Sequence, residues 1–123
     1  MRIVDTSLWI PALRRKGDSA KRARVAKLLE QGEAAWCPMI RLELWQGIGD
    51  ERELETLRQY EQVIPEVAIT QEVWESACEI SHHLHKKGKI VPIPDILVFA
   101  CARHHGVEIE HDDAHFDMLA QLT

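Results

Sequence analysis

The sequence has no long apolar run, no paired cysteines and no surplus of positive charge, and each lack removes a class of protein. Its longest uncharged apolar stretch, "ILVFACA", is far short of the roughly 20 residues that a membrane helix needs. The opening "MRIVDTSLWI" meets Asp5 too early for the apolar centre of a secretory signal. A cytoplasmic protein that does not engage a membrane is expected. Three cysteines, Cys37, Cys78 and Cys101, lie far apart without a C-x-x-C pair. Neither a disulfide framework nor a cysteine zinc site is suggested, and a reducing compartment fits. A formal net charge of −5 argues against a chain coated in basic residues, although a local basic patch remains compatible with it. There is no internal repeat, linker or low-complexity tract.

What is there suffices for one core. The 123 residues are 46% apolar, and a single domain spanning 1–123 is expected. "RIVD" reads as a strand, and "TSLWIPAL" as a helix capped by Thr6 or Ser7. Residues 19–31 form a helix with Lys21, Arg24 and Lys27 on one face and Val25, Leu28 and Leu29 on the other, until Gly32. "AAWC" is a second strand, Pro38 opens a helix over "PMIRLELWQGI", and "DERELETLRQYEQV" is a charged helix. "IPEVAI" suggests a third strand. Thr70 caps a long helix in which Val73, Trp74, Ala77, Ile80 and Leu84 follow the helical period. After the loop "KIVPIP", "DILVFACARHHG" is apolar nearly all round, which marks a buried central helix closed by Gly106, and "VEIE" is a fourth strand. Strands alternating with helices imply an α/β fold with a mostly parallel sheet.

In such sheets ligands sit beyond the carboxyl ends of the strands. Asp5 ends the first strand, Glu43 lies one turn into the helix after the second, Asp95 opens the buried helix, and Asp113 follows the fourth strand. Singly, each has a structural explanation: Asp95 and Asp113 are good N-caps, Asp5 suits a turn, and Glu43 has Arg41 or lysines to pair with. Together, four converging carboxylates repel unless some take protons or a divalent cation neutralises them. Hard oxygen ligands favour Mg²⁺ or Mn²⁺, and such a site suggests phosphodiester hydrolysis by metal-activated water.

With these positions in view, the chain resembles the PIN-domain ribonucleases, and among them the VapC-type toxins of prokaryotic toxin–antitoxin pairs. "IVDTSLWI" looks like the family's opening strand with Asp5, followed by the hydroxyl residues Thr6 and Ser7. "RLELWQGI" looks like its E-L-x-x-G segment with Glu43, and "IPDILVFACARHHGVEIEHDDAHFDML" like its closing segment with Asp95 and Asp113. The resemblance runs along essentially the whole chain. It implies a PIN-like α/β/α sandwich with a central, mostly parallel sheet of four or five short strands. It makes Asp5, Glu43, Asp95 and Asp113 the catalytic, metal-binding acids of an Mg²⁺- or Mn²⁺-dependent endoribonuclease acting on RNA such as tRNA. It also implies a cognate antitoxin as partner, and a homodimer. One departure concerns the last acid. Where many relatives carry an aspartate two residues after the Asp113 position, this chain has His115, and it has Asp112 just before. Asp112, Asp113 and Asp117 are therefore all candidates for the last ligand. His115 either favours Mn²⁺, donates a proton toward a phosphate, or is a surface histidine.

"HDDAHFDML" also has the look of the helical zinc motif H-E-x-x-H. That reading needs His111 and His115 on one helix face, whereas His111 falls at a strand end, and His82, His83, His85, His104 and His105 fall near helix C-termini. The histidines are expected to be bystanders for the most part. For RNA contacts, Arg14, Arg15, Lys21 and Arg24 head the basic stretch "RRKGDSAKRARVAK", with "HHLHKKGK" as a second. Such runs are also commonly solvated helix faces. Trp9 and Trp45 are either base-stacking or core residues. Two other readings compete: a catalytically weak PIN-like module that binds an antitoxin and acts in operator-DNA autoregulation, and a DNA endonuclease.

Overall fold

The computed structural model describes residues 1–14 and 16–122. Strand β1 (Arg2–Val4) leads into α1 (Thr6–Leu13) and α2 (Ser19–Glu30), and β2 (Ala34–Ala35) follows. Then come α3 (Pro38–Gln46), α4 (Glu51–Val63), α5 (Gln71–Lys86), α6 (Ile93–His105), β3 (Glu108–Glu110) and α7 (Ala114–Leu122). The strand order is β2-β1-β3, with β1 parallel to both neighbours. From β1 the chain crosses to one side and returns past it to the other. Right-handed crossovers therefore put α1 and α2 on one face of the sheet and α6 on the opposite face. Successive β1 side chains point to opposite faces, yet Ile3 and Val4 are both fully buried, as a sheet covered on both sides requires.

The sheet is smaller than the sequence suggests. "IPEVAI" forms no strand: among the described residues it contributes one isolated parallel bridge, Trp36 to Glu66. The reason is local. The Ile64 N–H closes α4 on the Tyr60 carbonyl at 2.8 Å, Pro65 has no N–H to offer, and the β2 side turns into α3 at Pro38. Only Trp36 N–H to the Pro65 carbonyl and Val67 N–H to the Trp36 carbonyl remain, at 3.1 and 2.7 Å. Among the described residues the sheet thus has three strands in place of four or five.

Helix boundaries follow their caps. The cap of α1 is Asp5, in place of Thr6 or Ser7, and its carboxylate accepts the Ser7 N–H at 3.0 Å. Asp18, Asp50 and Thr70 cap α2, α4 and α5 through their side chains. Helix α6 begins two residues before Asp95, behind Pro92, and ends at Gly106, whose φ of 67° is the left-handed conformation that a side chain would resist. Its Ile96, Leu97, Val98, Ala100, Cys101 and Ala102 are buried, and it packs against α3, α5 and α7. At roughly 1.5–3 kcal/mol for each large apolar side chain removed from water, α6 is the main apolar anchor of its side of the sheet. On α5, Val73, Ala77, Ile80 and Leu84 face the core, but Trp74 is 49% exposed. No helix among the described residues is long and apolar enough to cross a membrane.

Candidate metal centre

All four expected acids lie at the carboxyl end of the parallel strands. Asp5 follows β1 and is 2% exposed, with its backbone N–H on the Glu110 carbonyl of β3 at 2.9 Å. Such burial of a carboxylate is costly without partners, and the Ser7 N–H is one. Asp95 stands in the first turn of α6, and Glu43 projects from α3. Asp113 closes the turn after β3, where its carboxylate accepts the His115 N–H at 2.9 Å.

The titration of these groups reports their mutual proximity. Glu43 is pushed above the usual carboxylate range by burial and by the charge of Asp5, against a hydrogen bond from Thr6. Asp95 is pushed up to about 8 by burial, by a hydrogen bond to Asp113 and by the charges of Asp113, Asp5 and Glu43. Burial also works against the charge on Asp113. It is nevertheless held low by the His115 N–H, by the hydrogen bond with Asp95 and by the His115 imidazole. Four carboxylates thus sense one another, and Asp95 is held toward its protonated form beside Asp113, which is held toward its charged form.

Of the three candidates for the last acid, only Asp113 joins this cluster. Asp112 points to solvent and pairs with Lys21 at 2.7 Å, which lowers its pKa. Its backbone N–H donates to the Ser7 hydroxyl at 3.0 Å, tying the loop after β3 to α1. Asp117 is exposed and lies 3.8 Å from His111.

Of the roles left open for His115, the structure places its ring with the acids. His115 Nδ1 lies 2.9 Å from Asp113 Oδ1 and 3.3 Å from Asp95 Oδ2, so this imidazole belongs to the cluster. Its signal in the sequence was only its place two residues beyond Asp113, at the start of a helix. The helical zinc pair is absent: His111 precedes α7, stacks near Phe116 at 5.0 Å between ring centroids, and accepts the Asp113 N–H on Nδ1. Glu43 does not use Arg41, which pairs with Glu61 and Glu66.

The basic candidates fare unevenly. Lys21 is engaged by Asp112, and Arg24 by Glu110 at 2.9 Å and by the His111 carbonyl. Arg14 is exposed at the end of α1, where its carbonyl accepts from the Arg22 guanidinium, and Arg15 lies outside the described residues. Trp9 is fully buried, 5.8 Å from Trp36 and 5.3 Å from Tyr60 between ring centroids, and so cannot stack on a base. Trp45 is 37% exposed and donates to Glu61.

The donor set suits a hard or borderline divalent cation. Carboxylate oxygens of Asp95 and Asp113 and a nitrogen of His115 lie within 4.8 Å of one another, with Asp5 and Glu43 adding charge. A doubly charged ion would relieve the repulsion that raises Asp95 and Glu43. Fold and site together define a class: a parallel α/β protein with a carboxylate cluster beyond its strand ends.

Comparison with known proteins makes that class specific. A family model described as the PIN domain matches residues 2–122. Ribonuclease VapC21 of Mycobacterium tuberculosis is 35% identical over 107 residues, covering 85% of this chain and 78% of that protein. VapC ribonuclease Mb1587 of Mycobacterium bovis is 32% identical over 127 aligned residues, covering 100% of this chain and 94% of that protein. Among solved structures, FitAB bound to an IR36 DNA fragment matches with a TM-score of 0.77 at 17% identity, covering 98% of this chain and 91% of the other. VapC20 of Mycobacterium tuberculosis, described as a Sarcin-Ricin loop cleaving toxin, matches with a TM-score of 0.72 at 19% identity, covering 96% and 94%. The chain belongs to the PIN-domain family, and its sequence relatives are VapC ribonucleases.

Proposed function

We propose that this protein is a divalent-metal-dependent endoribonuclease and the toxin of a type II toxin–antitoxin pair. The observation that carries the reading is the convergence of Asp5, Glu43, Asp95 and Asp113 at one end of the sheet, in a chain whose relatives are named ribonucleases. In this reading Asp95, Asp113, Asp5 and Glu43 hold Mg²⁺ or Mn²⁺. When bound, the cation neutralises charge around the scissile phosphate and lowers the pKa of the attacking water.

The chain's own groups do the positioning. To hold a cation Asp95 would have to be ionised, whereas Asp113 is already held toward its charged form. The Thr6 hydroxyl holds the Glu43 carboxylate, and the Ser7 hydroxyl holds the Asp112 backbone, so both hydroxyls of α1 fix acid-bearing segments. Of the cations that the sequence named for phosphate contact, Lys21 and Arg24 are engaged by acids, and Arg14 is exposed at the end of α1 away from Asp5.

The partner in this reading is an antitoxin, and the pair as a complex occupies promoter DNA. FitAB is solved on a DNA fragment, and VapBC2 of Rickettsia felis on DNA from its promoter, with a TM-score of 0.76 at 14% identity. Regulation of this kind accompanies catalysis and does not replace it.

The test is cleavage of total RNA by the purified protein with Mg²⁺, with Mn²⁺ and with EDTA, beside Asp5→Asn. Discrete fragments that need metal and vanish in the variant are expected. Cleavage indifferent to both EDTA and Asp5 would reject the site, and cleavage of DNA in preference to RNA would reject the substrate class.

A further inference from the structure

The imidazole of His115 is held where an oxygen-only centre for Mg²⁺ has no use for it. Its ring is 40% exposed, yet Nδ1 turns inward onto Asp113 and Asp95 and away from water. Nor is it loosely placed. His115 is the second residue of α7, and its own N–H is fixed on Asp113 Oδ1 at 2.9 Å, the same oxygen that its Nδ1 approaches.

The spacing is informative. In six-coordinate geometry with ligand bonds of about 2.1 Å, adjacent ligand atoms stand about 3 Å apart. Here His115 Nδ1 is 2.9 Å from Asp113 Oδ1 and 3.3 Å from Asp95 Oδ2. The nitrogen therefore already stands at about the separation of a neighbouring corner from each of two carboxylate oxygens, and all three atoms lie within 4.8 Å of one another. A simple imidazole–carboxylate pair would explain one of these contacts; a shared ion explains why Nδ1 faces two carboxylates from different elements, α6 and the loop before α7.

We propose that His115 Nδ1 is a direct ligand of the divalent ion, with Asp95 and Asp113, and that this mixed nitrogen–oxygen site prefers Mn²⁺ to Mg²⁺. The inference rests on the metal-dependent reading above and deepens it. Magnesium demands oxygen ligands and sheds water reluctantly, whereas a first-row transition metal accepts imidazole readily. Selectivity thus comes from one side chain.

The test uses the full chain and metals alone. Pulsed electron paramagnetic resonance of the Mn²⁺-loaded protein should show coupling to a ¹⁴N nucleus, lost in His115→Ala and retained in His111→Ala. Titration calorimetry should show Mn²⁺ affinity falling by about tenfold or more in His115→Ala, with Mg²⁺ affinity changing much less. In His115→Asp, which restores an oxygen donor, binding should return with the Mn²⁺ preference narrowed. Stoichiometric Mn²⁺ binding without nitrogen coupling, or a proportional loss of both metals in His115→Ala, would overturn the inference and leave the ribonuclease reading standing. Failure of the wild-type chain to bind either metal would overturn both.

Discussion

Asp95 and Asp113 are neighbouring carboxyl groups whose pKa values are driven in opposite directions. The Asp95 carboxyl, pushed up to about 8, donates a hydrogen bond to the Asp113 carboxylate, which burial disfavours but the His115 N–H and Asp95 itself hold in its charged form. Asp95 comes from the first turn of the buried helix and Asp113 from the loop after β3, so the pair also joins α6 to the C-terminal end of the sheet. This relationship gives the metal-free protein a pH dependence that can be worked out in sign.

The folded pKa of Asp95, about 8, lies above the value of about 4 that an aspartate has in the unfolded chain. Its favourable contribution to stability is therefore complete below about pH 4 and is lost as pH rises toward 8. Asp95→Asn is neutral throughout. In EDTA it should be more stable than the wild type and melt at a higher temperature, by a stability margin that widens between pH 5 and pH 8 and reaches on the order of 1–2 kcal/mol. Cleavage by this variant should be lost. A margin that shrinks as pH rises would contradict the raised pKa of Asp95.

Metal and proton compete for the same carboxylate. At a low, fixed concentration of Mg²⁺ or Mn²⁺, the cleavage rate should climb with pH until Asp95 is ionised, near 8. Raising the metal concentration should move the midpoint of that climb to lower pH, because metal binding expels the proton. Rates measured across pH 6–9 at two metal concentrations check this, and a midpoint that ignores metal would count against Asp95 as a ligand.

Adjacent aspartates should differ sharply. Asp113→Asn removes the charged member of the pair and should lower cleavage on the order of 100-fold or more. Asp112→Asn only releases Lys21 at the surface and should stay within a few-fold of wild type. Equal losses in a side-by-side rate comparison would mean that the cluster is drawn around the wrong residue.

Asp5 has two tasks that substitution can separate. Asn retains a side-chain oxygen for the Ser7 N–H, so Asp5→Asn should stop cleavage while melting at or above the wild-type temperature in EDTA. Asp5→Ala also loses the cap and should cost about 1 kcal/mol of stability. If both variants melted alike, the capping role would be in doubt.

Local chemistry is what a sequence displays, and here it sufficed for most of the framework. A β-branched run marked β1, the segment "VEIE" marked β3, the 3.6-residue period marked the buried faces of α2 and α5, and Gly106 marked the end of α6. The order of Asp5, Glu43, Asp95 and Asp113 at strand ends and early in helices was legible for the same reason. Where local signals were ambiguous, backbone bookkeeping decided: Pro65 and the closure of α4 reduced a β-like run to a single bridge, and Asp5 took the cap that Thr6 and Ser7 also fit.

The sequence by itself determined most of the elements, their order and the positions of the four candidate acids along the chain, because these depend on neighbours a few residues apart. Only the tertiary structure decided which of Asp112, Asp113 and Asp117 turns inward, that His115 joins Asp95 and Asp113, and that Lys21 and Arg24 are engaged by acids. Those outcomes depend on direction and distance between segments up to about a hundred residues apart, as in the contact of Ser7 with Asp112. Charge state depends on the same geometry. The proton on Asp95 is held by burial and by three carboxylates from three other parts of the chain, so no reading of its immediate neighbours reveals it.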